Sequence, residues 1–229
     1  MEIAEHPDAV APSDELKRVL AKLPAATGGA VALISGRTVE DVDRILAPRR
    51  FAVAGVHGAQ RRSPDGRMGS AVPRSDWIDH VLPRLKRFVD LNPGLVLENK
   101  KLSLALHYRG RPELEEAVQE LVAGLELPPD IECLQGRKVV ELKPGGVDKG
   151  KAISAFMSES PFARRTPVFV GDDVTDEAGF RAVNELGGIS IKVGDGPTAA
   201  AWTLPSVSHV LSWLNSAMDA SLQSGGDST

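Results

Sequence analysis

Residues 168–177 read VFVGDDVTDE: an apolar run closed by Gly171, then Asp172, Asp173, Asp176 and Glu177. An apolar run that turns acidic at its end is the pattern of a buried strand passing into a loop. Open α/β sheets place their ligands at that end of a strand. Carboxylates this close repel one another unless a cation or hydrogen bonds hold them. Hard oxygen donors with few committed protein groups suit Mg²⁺, which keeps several waters and often binds substrate phosphate. The plainer alternative is that the acids open a helix, whose dipole favours them there.

On either side the chain repeats the same alternation. AVALI (30–34), FAVAGV (51–56) and ISIKVG (189–194) are further buried-type strands. Helices are expected from Ser13, a cap with Leu16, Val19, Leu20 and Leu23 on one face, over Val39 to Leu46, over Lys149 to Met157, and from about Asp176. Strands joined by helices predict an α/β fold with a parallel sheet covered on both faces. The middle differs. After a polar loop (61–75) come a helix near Trp77 to Leu91 and strands at 95–99 and 102–108. A helix from Pro112 to about Gly124 follows, with strands near 131–134 and 138–142. Leu102, Leu104 and Leu106 alternate, as in an antiparallel sheet with one wet face. The expected organisation is an α/β core (1–61 and 143–216), an inserted α+β module (62–142), and a frayed tail (217–229).

Bulk composition narrows the function. The chain has 229 residues, 42% apolar and 25% charged, with a net charge of −4 and no basic block. Nucleic acid is therefore not expected as a partner. Cys133 is the single cysteine, which excludes an intrachain disulfide and fits a reducing compartment. No apolar run approaches the roughly 18 residues of a membrane span. MEIAEHPDAV has neither the basic nor the apolar region of a signal peptide. A cytoplasmic protein, monomeric and without a membrane partner, is expected.

Two more clusters stand at strand ends or helix starts. Ser35–Gly36–Arg37 offers a hydroxyl and backbone N–H groups, an anion site unless Ser35 is a simple cap and Arg37 a solvated side chain. Lys149 opens a helix after a Gly-rich turn, where a cation opposes the dipole and needs another reason to be there. A phosphate would supply one, and a solvated lysine is the alternative. Phosphate at Ser35 and Lys149 with a cation at Asp172 outlines a phosphoryl-transfer site.

LISGR (33–37), VDKGKA (147–152) and VFVGDDVTDE resemble three motifs of the haloacid dehalogenase phosphatases. HPDAVAP, VAGVHGAQRR, LENKKLSLALHYR, GRKVVELKP and GDDVTDEAGF together resemble the trehalose-6-phosphate phosphatases, over about residues 2–215. The resemblance implies a Rossmann-like core, a mobile α+β cap, Mg²⁺, and hydrolysis of trehalose 6-phosphate to trehalose and phosphate. It implies that Ser35 binds the transferring phosphoryl group, Lys149 neutralises it, and Asp172 is a magnesium ligand with Asp173 beside it and Asp176 in support. Gly36, Arg37 and His57 would meet the substrate from the core. Glu98, Lys100, His107, Arg109, Arg137 and Glu141 would do so from the cap. Taken without the resemblance, Glu98 and Lys100 read as a solvated strand face.

The family begins with an apolar strand ending in D-x-D-G-T, whose first Asp is the nucleophile and second the general acid. These 229 residues contain no such motif. Asp8 has no strand before it, and Asp41 and Asp43 are on a helix. The family's sheet order, 5-4-1-2-3, would lose its central strand, leaving two strands with unpaired edges unless they close up and pair. A start assigned too late, a truncation and a non-catalytic relative are the three explanations. The intact Ser35, Lys149 and Asp172 favour the first two. A chain without the nucleophile is expected to have little or no phosphatase activity. The other readings are a sugar-phosphate sensor and a phosphatase for another sugar phosphate.

Overall fold

A computed structural model describes residues 11–71 and 76–224. Asp8, Met1–Ile3 and the last five residues lie outside them. The elements in chain order are α1 (Asp14–Ala26), β1 (Ala32–Ile34), α2 (Val39–Leu46), β2 (Ala52–Gly55), β3 (Gln60–Arg62), β4 (Met68–Ser70), α3 (Trp77–Leu91), β5 (Val96–Asn99), β6 (Leu104–His107), α4 (Glu115–Ala123), β7 (Ile131–Gly136), β8 (Val139–Pro144), α5 (Lys149–Met157), β9 (Val168–Gly171), α6 (Glu177–Glu185), β10 (Ile189–Val193), β11 (Trp202–Leu204) and α7 (Val207–Ser224). The chain divides into two compact units, residues 1–69 with 148–229, and residues 70–147. The expected borders at 62 and 142 fall instead inside β3 and β8, because both strands are paired along their length.

The first unit holds two half-sheets, ordered β1-β2-β3-β4 and β11-β10-β9. β1 pairs in parallel with β2, and β9 in parallel with β10. β1 and β9 are not paired with each other, and their burial differs from that of β2. Every residue of β2 is buried, whereas β1 is half-buried throughout and Val168 of β9 is 49% exposed. α5 packs against both halves. Ala152 and Phe156 meet Ala52 and Ala54 on one side, and Gly150 lies so close to the Ala178 carbonyl that a Cβ would come within 2.5 Å.

Three expectations change. The polar loop from 61 contains the end of β3, which runs antiparallel to β2, and β4, which lies beside β3. Its Arg62 is buried because both guanidinium ends bond Asp43 at 2.6 Å and the Phe51 carbonyl takes two more N–H groups. A charge matched this way escapes an apolar-pattern reading. Residues 217–224 are the end of α7 rather than frayed tail. Leu211, Leu214 and Met218 share a helical stripe that packs on Val19, Leu16 and Leu23 of α1. β11, of three residues, adds an edge beyond β10 that the sequence reading lacked.

The second unit is a four-stranded antiparallel sheet, β5-β6-β8-β7. Leu104, Leu106, Val140 and Leu142 face α3 and α4 in one core with Trp77, Leu85, Tyr108 and Val118. Residues of the opposite parity make the polar face.

Candidate active site

Four chain segments of the first unit build the site: the turns after β1 and β2, the start of α5, and the loop after β9. In the first, the Ser35 hydroxyl accepts from the Arg37 amide at 3.1 Å. The cap of α2 is Thr38, which takes the Asp41 amide at 3.1 Å, so Ser35 is not the helix cap. Its O–H remains a donor.

The second turn locks onto the first. The His57 amide donates to the Ser35 carbonyl at 3.0 Å and the Val56 amide to the Arg37 carbonyl at 2.8 Å. Val56 and His57 have φ of 49° and 55°, left-handed backbone that a β-branched residue rarely adopts. The turn places the buried His57 imidazole against Gly36, where a Cβ would sit 2.7 Å from Nε2. Gly36 is therefore the room His57 occupies. The next residue, Gly58, abuts the Asp148 carbonyl, and Asp148 is the N-cap of α5.

Lys149 follows that cap and is 7% exposed. Its ammonium donates to Asp176 Oδ1 at 2.7 Å. The reason for a cation at this helix start is thus a carboxylate already in the fold, and the solvated alternative falls. Asp176, 4% exposed, is the hub of the acidic loop. Its Oδ2 accepts the amides of Asp172 and Asp173 at 3.0 and 2.9 Å. Gly171 makes this possible, since a Cβ there would lie 2.4 Å from the Asp176 carboxyl carbon. Asp173 takes the Val174 amide on Oδ1 at 2.6 Å. The exposed Asp172 carboxylate accepts from no described residue.

These donors fit part of a magnesium site. The Asp172 carboxylate accepts from no described residue, Asp173 caps the short turn that follows it, and Asp176 is engaged on both oxygens. Among the described residues no group of three or more His, Cys, Asp or Glu is placed to hold a metal. Mg²⁺ takes six oxygens and keeps waters, so Asp172 with Asp173 would supply one side of its shell.

On the polar sheet face of the second unit the expected residues fall into pairs. Glu98 meets His107 Nε2 at 3.0 Å, both about a quarter exposed. Lys100 donates to Glu141 Oε2 at 3.1 Å, and Ser103 donates to Oε1 at 2.7 Å. Lys100, Glu141 and Ser103 are 7%, 6% and 0% exposed, so Lys100 is not on a solvated face. Arg109 and Arg137 are exposed. Sequence reading missed Ser103 and, in the first unit, Lys192. Alternation in LSLALHY carries the first signal, because Ser103 shares parity with His107.

The parallel α/β frame, with a hydroxyl, a lysine and a carboxylate loop at its strand ends, has a haloacid dehalogenase-like fold. The overall structure is similar to a haloacid dehalogenase-like hydrolase from B. subtilis, with TM-score 0.61 and 14% identity, covering 90% of this chain and 93% of that one. It is nearer to the C-terminal domain of C. albicans trehalose-6-phosphate phosphatase, with TM-score 0.81 and 24% identity over 95% and 88% of the two chains. The trehalose-phosphatase family profile matches residues 1–208, and the chain belongs to that family. It is 45% identical over 214 residues to the trehalose-6-phosphate phosphatase of Escherichia coli K12, covering 93% of this chain and 80% of the relative.

Proposed function

We propose that this chain carries the phosphate-binding and specificity parts of a Mg²⁺-dependent trehalose-6-phosphate phosphatase. The observation that carries the reading is the Asp176 hub, which ties Lys149 to the Asp172–Asp173 loop beside a free carboxylate. In this reading the Ser35 O–H and the Lys149 ammonium hold the phosphoryl oxygens. Asp172 and Asp173 hold Mg²⁺, which when bound supplies charge stabilisation to the transferring group. Asp176 positions both sides of the site without touching substrate. Glu98, Lys100, His107 and Glu141, with Arg109 and Arg137 at the margin, give the second unit acceptors and donors for sugar hydroxyls. Its role as the specificity cap belongs to the same proposal. Gly36, Arg37 and His57 line the phosphate turn. A monomer in the cytoplasm fits the lone Cys133 and the net charge of −4. No helix among the described residues is long and apolar enough to cross a membrane.

The test is phosphate release from trehalose 6-phosphate by residues 1–229 in Mg²⁺. Release near background is expected, because residues 1–229 contain no D-x-D-G-T motif to supply the aspartyl nucleophile. Restoring a preceding strand of ordinary length that ends in D-x-D-G-T should restore turnover. Normal Mg²⁺-dependent turnover by residues 1–229 alone overturns the account of the nucleophile. Tight binding by an extended chain that never turns over favours the sensor, which the absent motif already motivates. Preference for another sugar phosphate in a substrate panel would change the substrate.

A further inference from the structure

Lys192 lies on β10, in register with Gly171 of β9, and is 8% exposed. Its Nζ makes one hydrogen bond among the described residues, to the Asp172 carbonyl at 3.4 Å. A buried ammonium with three donors and one long bond is costly to keep. Its position explains what it does. The peptide joining Asp172 to Asp173 has its N–H held by Asp176 Oδ2 at 2.9 Å, and its C=O held by Lys192. One peptide plane is thus gripped by an anion on the donor side and a cation on the acceptor side. Both bonds are charge-assisted. The Asp172 amide is also held by Asp176, at 3.0 Å. The main chain on both sides of the Asp172 side chain is therefore pinned, while the carboxylate itself stays free.

We propose that Lys192 is a positioning residue: by holding the Asp172 carbonyl it fixes the direction in which the Asp172 carboxylate is offered to a divalent cation. It acts through the backbone and touches neither cation nor substrate. The alternative role, simple compensation of the four acids in 172–177, predicts an effect of opposite sign. Removing a positive charge near a cation site strengthens cation binding if compensation is all it does. Removing a backbone anchor weakens it.

The inference rests on the reading of Asp172 as a cation ligand, so the experiment has two readouts. Residues 1–229 and their Lys192→Met and Lys192→Arg variants are titrated with Mg²⁺, followed by amide shifts of 171–177. Hydrogen exchange of the Asp172 and Asp173 amides is measured without metal. Lys192→Met should exchange these two amides at least tenfold faster, leave β10 amides protected, and bind Mg²⁺ several-fold more weakly. Lys192→Arg should recover most of both. Unchanged exchange, or equal or tighter Mg²⁺ binding by Lys192→Met, overturns the proposal. No Mg²⁺ response in the unmutated chain sinks the reading of Asp172, and the exchange result still decides the role of Lys192. If Lys192→Met does not fold, Lys192→Gln is measured in its place against the same criteria.

Discussion

The ammonium of Lys149 and the carboxylate of Asp176 meet at 2.7 Å with side chains 9% and 5% exposed, across 27 residues of sequence. This contact joins the start of α5 to the loop after β9. It therefore couples the expected phosphate anchor to the expected metal loop. Breaking one partner of a buried pair leaves an uncompensated charge, which costs about 3–5 kcal/mol. Asp176→Ala should lose that much stability in urea unfolding. It should lose more than Lys149→Met, because two backbone amides are orphaned as well. Equal, small losses would show that the pair is not a structural link.

Gly36 and His57 form a second coupled pair. Gly36→Ala should cost about 1–3 kcal/mol, the range for overpacking, because the imidazole has to leave. In a His57→Ala background the same substitution should cost much less. A double-mutant cycle by denaturant unfolding measures the difference. Additive effects would mean that His57 moves freely and does not seat the phosphate turn.

The second unit separates a structural acid from a surface one. Glu141→Ala strands the buried Lys100 and should destabilise by about 3–5 kcal/mol. Glu98→Ala removes a partly exposed pair worth about 0–1 kcal/mol. Glu98→Ala should therefore keep its stability and still bind trehalose 6-phosphate several-fold more weakly by calorimetry. Unaltered affinity would remove Glu98 from the substrate site.

Acid should loosen the β3 edge. The Arg62 guanidinium, bonded to both oxygens of Asp43, holds that carboxyl below its ordinary value of 3.8 against the opposing pull of partial burial. A depressed carboxylate stabilises the fold above its unfolded value. That contribution is lost as pH falls through the lower folded value. Melting temperature measured from about pH 6 downward should drop more steeply below about pH 4 in the parent than in Asp43→Asn. Parallel curves would show that Asp43 carries none of the acid sensitivity.

Much of the fold was legible because burial imposes a period. α3 and α5 have the boundaries that their apolar spacing predicts, and β1, β2, β9 and β10 coincide with the apolar runs. What escaped was polar or short. β3 is QRR, buried through the Arg62–Asp43 pair, and β11 has three residues. α7 outlasts the composition shift because Met218 still reaches α1. In the site, Ser35, Lys149 and Asp172 were visible as residue types at strand ends. The partner of Lys149 was not, since Asp176 is distant in sequence and its role depends on the glycine before the acids.

The sequence by itself determined the apolar strands and the amphipathic helices, that acids follow β9, and that these residues hold no D-x-D-G-T, because these depend on local pattern and composition. Only the tertiary structure decided how the acids are used. Asp176 spends its oxygens on Lys149 and two amides, Lys192 takes the Asp172 carbonyl, and the Asp172 carboxylate accepts from no described residue. Four carboxylates in ten residues are alike as text, and they acquire different roles when long-range packing brings a particular donor to each.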